Sequence, residues 1–464
     1  MKRNVLIVLF CFLSASLFAQ DSAQFDWNNS SVDGITIASQ SRQTMVSVIN
    51  TGSTVWDPNF FLQIEGRWGI NKIYLDPGET IFPGQRKIFL FPLSAPNKPG
   101  KHPLHMQMGY GPVNFGERAS FKILVIETSK ELKLINRIYS QNNDFVKWGG
   151  FTVQDINNDG IDDILMGIVE RGSLRPGVAA FNGKDLSLLW RNHTKAGHFP
   201  MLVEASREVT AMTKKSRGSD SSGGGVDVFD SRTGNKIFSY ESKINRYCRA
   251  VAVRDIHPTS GTEVFIGGNN GEVTLFSQSG QIIWQKQIGP LVNFQMADIS
   301  NGNIVVAGGW GEYKNFRIFS PNGEEIYRKD IGKDLMGVGA DKELINVAMA
   351  NRPHNKGKNK IAMLRNQDIV WSKTLDQKTK TMFWSADVDA ESETLVFGFG
   401  NHNIEPDDHI LNRYKGWEGG ILIATPKGNI QAIKKLPDSV KDVKIKGRTI
   451  YASSRGGLFI FQIN

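Results

Sequence analysis

The chain has 464 residues, the length of two or three domains, and its 22% charged and 40% hydrophobic residues exclude a mainly disordered polymer. The net charge of +9 is spread thinly, with no block of five or six like charges, which argues against a nucleic-acid-binding tail. Two cysteines, Cys11 and Cys248, exclude a disulfide framework, while 47 Gly and 27 Phe suit a turn-rich β protein.

Residues 1–19 read as a secretory leader: cationic Lys2 and Arg3, an apolar run over 5–13, and small residues from Ser14 to Ala19, with cleavage predicted after Ala19. The apolar run falls short of the roughly 20 residues that a membrane span needs, although an N-terminal anchor is the competing reading. Cys11 lacks the small neighbours of a lipidation site. Cleavage would lower the net charge from +9 to +7 and leave Cys248 as the single cysteine. No later stretch is apolar enough to cross a bilayer, so a secreted, periplasmic or cell-surface protein without a membrane span is expected.

Residues 20–128 contain short β-type runs at 44–49, 60–65, 72–75, 87–91, 103–108 and 120–126, separated by turns such as Asp76-Pro77-Gly78 and Pro99-Gly100. Short strands at this spacing predict a sandwich. Asn50, Gly52 and Trp56, followed by Ala95-Pro96, Pro99-Gly100 and Phe115-Gly116, resemble the four-tryptophan Ig-like domain of autophagy receptors and bacterial secreted proteins. The chain departs from that family over 102–106, where no tryptophan follows the Pro-Gly turn. Trp56 is therefore expected in the core of a spacer domain.

From residue 129 onward a unit of four short strands recurs. An acidic residue marks its first turn at Asp155, Asp255, Asp298, Asp341 and Asp387, intervals of 100, 43, 43 and 46 residues. The 100-residue interval holds an extra unit, and a last one begins near Val440. Strand–turn–strand segments recur at 177–191, 225–240, 271–286, 316–329 and 361–373, with an aromatic slot in the final strand. Such units predict a β-propeller over 129–464. Seven units are counted, with six or eight left open. The last is one strand short, and 132–139 is predicted to complete it, closing the ring with strands from both ends. The turn around Phe229 to Phe238 resembles quinoprotein-type repeats, and the Asp155 turn resembles the FG-GAP repeats of integrin-like propellers.

Asp155-Ile156-Asn157-Asn158-Asp159-Gly160-Ile161-Asp162-Asp163 has the alternation that turns oxygen donors toward one hard cation. Asp155, Asn157, Asp159, the Ile161 carbonyl and Asp163 are the expected ligands of one Ca²⁺, with Gly160 allowing the sharp turn. Position 12 is Met166 rather than Glu, and the flanks are β-like, which excludes an EF-hand. Three crowded carboxylates are expected to need a neutralising ion. The other acidic turns lack these ligands.

In a propeller the residues just before each first strand ring one mouth of the channel, opposite the Asp155 loop. These are Trp148, His198-Phe199, Tyr247 with Arg249, Phe294, Met336 and Phe383-Trp384. Connecting loops add Trp310, Tyr313, Arg352, His354, His402, Asp407, Asp408, His409 and Trp417. Aromatic faces beside polar groups suit sugar rings and peptides, although such aromatics also plug channels. The reading is a secreted, calcium-stabilised binding protein whose partner is a glycan or a cell-surface protein. A propeller-based polysaccharide lyase or hydrolase using His402, Asp407, Asp408, His409 and Arg352, and a structural envelope component, are the alternatives.

Overall fold

The computed structural model describes residues 20–464 apart from 28–29, 31, 140–149, 170–174, 195–196, 217–222, 259–260, 290–292, 311–315, 333, 351–358, 377–378, 380, 401–418, 437–438 and 455–456. Among the described residues there are nine β-sheets and no α-helix, hence none able to cross a membrane. The described residues divide into two compact units: 20–30, Ser41–Ser94 and Pro103–Ser120 belong to one, and Ser31–Gln40, Ala95–His102 and Phe121–Asn464 to the other.

The smaller unit holds the three-stranded sheet Ala23–Phe25, Ser41–Asn50 and Arg86–Ser94, and most of a five-stranded sheet whose order is Ile35–Ile37, Val113–Ile126, Gly100–Tyr110, Phe60–Glu65 and Lys72–Tyr74. Alternation in Arg86–Ser94 turns Lys87, Phe89, Phe91 and Leu93 inward. Trp56 is fully buried against Phe60 and Phe115. Asn50 fixes the preceding turn: its Nδ2 donates to the carbonyls of Thr54 (2.8 Å) and Ile81 (3.1 Å), and its Oδ1 accepts from the Gly52 amide at 3.1 Å. Asn50, Gly52 and Trp56 thus build a turn and a core.

In the larger unit seven antiparallel sheets have four strands each. Their first strands are Phe151–Gln154, His198–Ala205, Cys248–Arg254, Asn293–Ser300, Leu335–Asp341, Met382–Asp389 and Asp442–Lys446. In sheets one to six the strands follow in chain order. The seventh takes its fourth strand, Leu132–Tyr139, from before the first sheet, pairing with Gly457–Ile463.

The patterning follows from which strands are covered. Second strands such as Asp163–Val169 and third strands such as Phe316–Phe319 are buried on both faces and read as continuous apolar runs. Fourth strands alternate, as in Asp368–Thr374, where one face meets solvent. Consecutive sheets share cores: Leu165 and Val178 of the first with Val203, Met212 and Phe229 of the second, and Val396 and Ile421 of the sixth with Val443 and Ile450 of the seventh. The first and seventh also share one, joining Phe151, Ile164 and Met166 to Tyr451, Leu458 and Ile460.

Every sheet carries a register shift where its third strand meets the fourth, from Ala180/Phe181 in the first sheet to Ile460/Phe461 in the seventh. A bulge adds local twist, here between the third and fourth strands of each sheet.

Candidate functional site

Two places concentrate chemistry. The first is the Asp155–Asp163 loop, which links the first two strands of sheet one. The Asp155 carboxylate accepts from the amides of Asn158 (2.7 Å), Asp159 (3.2 Å) and Gly160 (3.2 Å). Asp163 is wholly buried and accepts from the amides of Ile156 (3.1 Å), Asn157 (3.3 Å) and Gly183 (3.0 Å). Burial raises the Asp163 pKa, opposed by these amide bonds and assisted by Asp159. Asn157 Nδ2 donates to Asp159 at 3.1 Å, and Asp159 Oδ1 accepts from the Ile161 amide at 2.9 Å. Asn158 and Gly160 take positive φ angles of 66° and 84° to complete the turn.

Donors of the chain itself surround the loop carboxylates. Backbone amides converge on Asp155 and Asp163, while cations approach from two other sheets: Arg207 lies 3.6 Å from Asp155, and Lys446 lies 3.0 Å from Asp162. Among the described residues no three His, Cys, Asp or Glu side chains form a metal-holding group. The donor set still suits a hard cation by type. Asp155 Oδ1 and Asp163 Oδ2 each accept two amides, but Asp155 Oδ2 accepts one amide and each Asp159 oxygen one hydrogen bond, which leaves lone pairs, and rotating the Asn157 amide would exchange a donor for an acceptor.

The second place is the start of the first strands. His198 opens its strand, buried, with Nε2 2.9 Å from the Gly223 carbonyl, and desolvation lowers its pKa. Half-buried Tyr247 precedes Cys248–Arg254, and its amide donates to Asn269 Oδ1 at 3.0 Å. Five first strands are bulged just inside this end. The pairing skips Met201 and Leu202 in sheet two, Arg249 in sheet three, Gln295 in sheet four, Met336 in sheet five and Trp384 in sheet six. A bulge re-aims a side chain, so one position in five sheets is set apart from the regular alternation. Arg249 is 8% exposed and Trp384 2%. Trp384 packs with Met336, Met382 and Ala350, and Lys441 Nζ stands 3.4 Å from its ring centroid.

No protein-family model and no curated protein matches the chain. Solved structures do. The WD40 repeats of RRP9 superpose with a TM-score of 0.50 at 9% identity, over 72% of this chain and all of that one. The larger unit is a β-propeller. Two further similar structures are BamB from Moraxella catarrhalis (TM-score 0.42, 12% identity, 72% of this chain and 98% of that) and BBS1N in complex with ARL6DN (TM-score 0.48, 11% identity, 73% and 97%).

In the propeller, His198, Tyr247, Arg249, Phe294, Met336 and Trp384 all fall near the starts of first strands, while the Asp155 loop follows the end of one. Trp310 ends the second strand of sheet four. Trp148, Tyr313, Arg352, His354, His402, Asp407, Asp408, His409 and Trp417 lie outside the described residues. Phe294, Met336 and Trp384 are core residues rather than an open rim. Short apolar runs read alike whether they line a mouth or fill it.

The acidic ruler also has a different use from the one expected. Asp298, Asp341 and Asp387 lie within first strands, not in the turns after them. Each accepts a backbone amide from the next sheet: Asp298 from Ala340 (2.7 Å), Asp341 from Ala390 (2.8 Å) and Asp387 from Ile445 (2.7 Å). Asp389 takes the Gly447 amide at 2.6 Å, and Asp442 the Phe151 amide of the first sheet at 3.3 Å. These carboxylates clasp neighbouring sheets. The recurrence of Asp at 43- to 46-residue intervals was the available signal.

Proposed function

We propose that the chain is a secreted binding protein in which an Ig-like sandwich precedes a closed seven-bladed propeller, with the ligand, a glycan or a cell-surface protein, held at the mouth where the first strands begin. Support for seven blades comes from the seven four-stranded sheets and from the core shared by the first and last. The Ig-like reading rests on the Asn50–Trp56 turn and the buried aromatic cluster beneath it.

The observation that carries the binding reading is the first-strand bulge repeated in sheets two to six. Conserving an irregularity of pairing at one level gives up ladder hydrogen bonds there, and a common use of such bulges is to aim side chains at a ligand. Lys441 stands over the Trp384 ring at this level, and Arg249 and half-buried Tyr247 lie at the start of the first strand of sheet three. We further propose that the loop formed by Asp155, Asn157, Asp159, Ile161 and Asp163 binds Ca²⁺, which would add charge neutralisation to the amide cage.

The binding reading is tested with a glycan array and a cell-surface binding assay on the mature protein. Trp384 is too buried to probe cleanly, so Tyr247→Ala and Lys441→Ala are the variants of choice. Loss of at least about tenfold in affinity, equivalent to roughly 1.4 kcal/mol, with an unchanged melting temperature is expected. Unaltered retention of every ligand by both variants would defeat the reading, and turnover of a bound polysaccharide would replace it with the enzymatic alternative.

A further inference from the structure

Below the bulged ends, the propeller's first strands bring together a set of buried charges that binding does not use. Lys444 of sheet seven pairs with Glu204 of sheet two, whose other oxygen accepts from Thr152 Oγ1 of sheet one at 3.0 Å. Asp298 of sheet four, Asp387 of sheet six and Asp442 of sheet seven act electrostatically on the same lysine. Four carboxylates therefore act on one ammonium, and Glu204 is in direct contact with it. Of the remaining charges on these strands, Lys446 is paired with Asp162, Asp341 and Asp389 hold amides of the next sheet, and Arg249 and Arg254 lie on the first strand of sheet three.

We propose that this cluster is a proton-linked lock: the folded propeller retains a proton among these carboxyl groups at neutral pH, and the sheets they join loosen as it leaves in mild alkali. Asp387 and Asp442 are also the clasps on either side of the seventh sheet, holding the Ile445 amide within it and the Phe151 amide of sheet one. An unbalanced charge at this point therefore acts on the sheet that Leu132–Tyr139 completes.

Burial is the largest influence on both groups. It raises Asp387 to about 8 and Asp442 to about 7, against the lowering effect of Lys444. Burial also raises Glu204, and the surrounding carboxylates raise Lys444 in spite of its own burial, so the lysine stays charged. Lys444 and Glu204 keep 17% and 23% side-chain exposure, so water softens their burial more than that of the enclosed Asp387 and Asp442. An unfolded Asp titrates near 3.9, so between about pH 4 and the folded values the native state holds more protons than the unfolded chain. Stability contributed in this way is present at low pH and is lost as pH rises toward about 8. His198, lowered by burial, acts with the opposite sign below about pH 6.5, so the informative window lies above pH 7.

The test is urea unfolding of the full mature chain between pH 7 and pH 9. The folding constant should fall with rising pH, by up to about tenfold per pH unit for each proton retained. Asp387→Asn and Asp442→Asn should each flatten that slope. Glu204→Gln, at a less enclosed position, removes one negative neighbour and should move the decline to lower pH, so the proposal stays testable if an Asn variant fails to fold. A wild-type stability that is level or rising over this window would overturn the proposal, as would a slope that none of the three variants alters.

Discussion

At the scale of single residues, four junctions between neighbouring propeller sheets are each made by one aromatic side chain. Trp190 Nε1 donates to the Ser231 carbonyl at 2.8 Å, Trp284 to Pro321 at 2.7 Å and Trp371 to Pro426 at 3.0 Å, each reaching the outer turn of the following sheet. Tyr327 OH donates to Gln367 in the same way at 2.8 Å. An indole buries a large apolar face and satisfies its one donor, so it suits a joint that is half packing and half hydrogen bond. The receiving turn must be flat. A Cβ built on Gly323 would stand 2.7 Å from the Trp284 ring, whereas one on Gly302 would meet nothing within 4 Å, although their φ angles are alike at +80° and +74°. Gly302→Ala should therefore lose only the left-handed backbone penalty, about 1 kcal/mol, and Gly323→Ala about 1–3 kcal/mol more from displacing the indole, measured by denaturant unfolding. Equal losses would show that the joint is slack. The aromatic slots were legible because they recur beside a Gly- or Asn-rich turn. Their partners were not, since a sheet-to-sheet contact some 40 residues away leaves no local period. The same limit hid the clasping role of Asp298, Asp341 and Asp387: an acid after an apolar run reads as a turn, and only the neighbouring sheet supplies the amide that lets it sit inside a strand.

At the scale of elements, the Asp155–Asp163 loop and the repeated bulges divide what sequence can and cannot carry. The loop was legible residue by residue because its donors are local. Its amide cage was not, because Asp163 turns inward to bind Gly183 from the next hairpin. The proposed calcium has a direct thermal test. Chelation should lower the melting temperature of the protein, by several degrees if the ion is held well below its working concentration. Asp159→Ala should abolish the difference between calcium and chelator. A melting curve indifferent to chelation would mean that amides, Arg207 and Lys446 suffice to hold the loop. The bulges at Arg249, Met336 and Trp384 had no sequence signal, because an extra residue within a strand alters register without altering composition.

At the scale of the whole propeller, stability is distributed as a chain of near-identical interfaces, and the two interfaces of the seventh sheet stand apart. That sheet is assembled from the two ends of the repeat array, so its strand pairing is the longest-range one among the seven sheets. The proton-linked cluster adds a second dependence at the same sheet, and a propeller loosened in alkali should loosen there first. Leu132–Tyr139 was legible as the closing strand from a simple count, since a final unit with three strands needs a fourth. The measurement that bears most directly on this architecture is a crosslink across the closure. Lys133 and Gln462 are partners in the register, and both side chains have access to solvent. Cys248, the one cysteine among the described residues, is buried, with its thiol held neutral by burial. The double variant Lys133→Cys, Gln462→Cys should form an intramolecular disulfide in the native state on mild oxidation. It should also unfold at a higher denaturant concentration than its reduced form, because the bridge closes a very long loop. Two free thiols that persist under those conditions, or a bridge that forms only between molecules, would contradict a ring closed by strands from both ends.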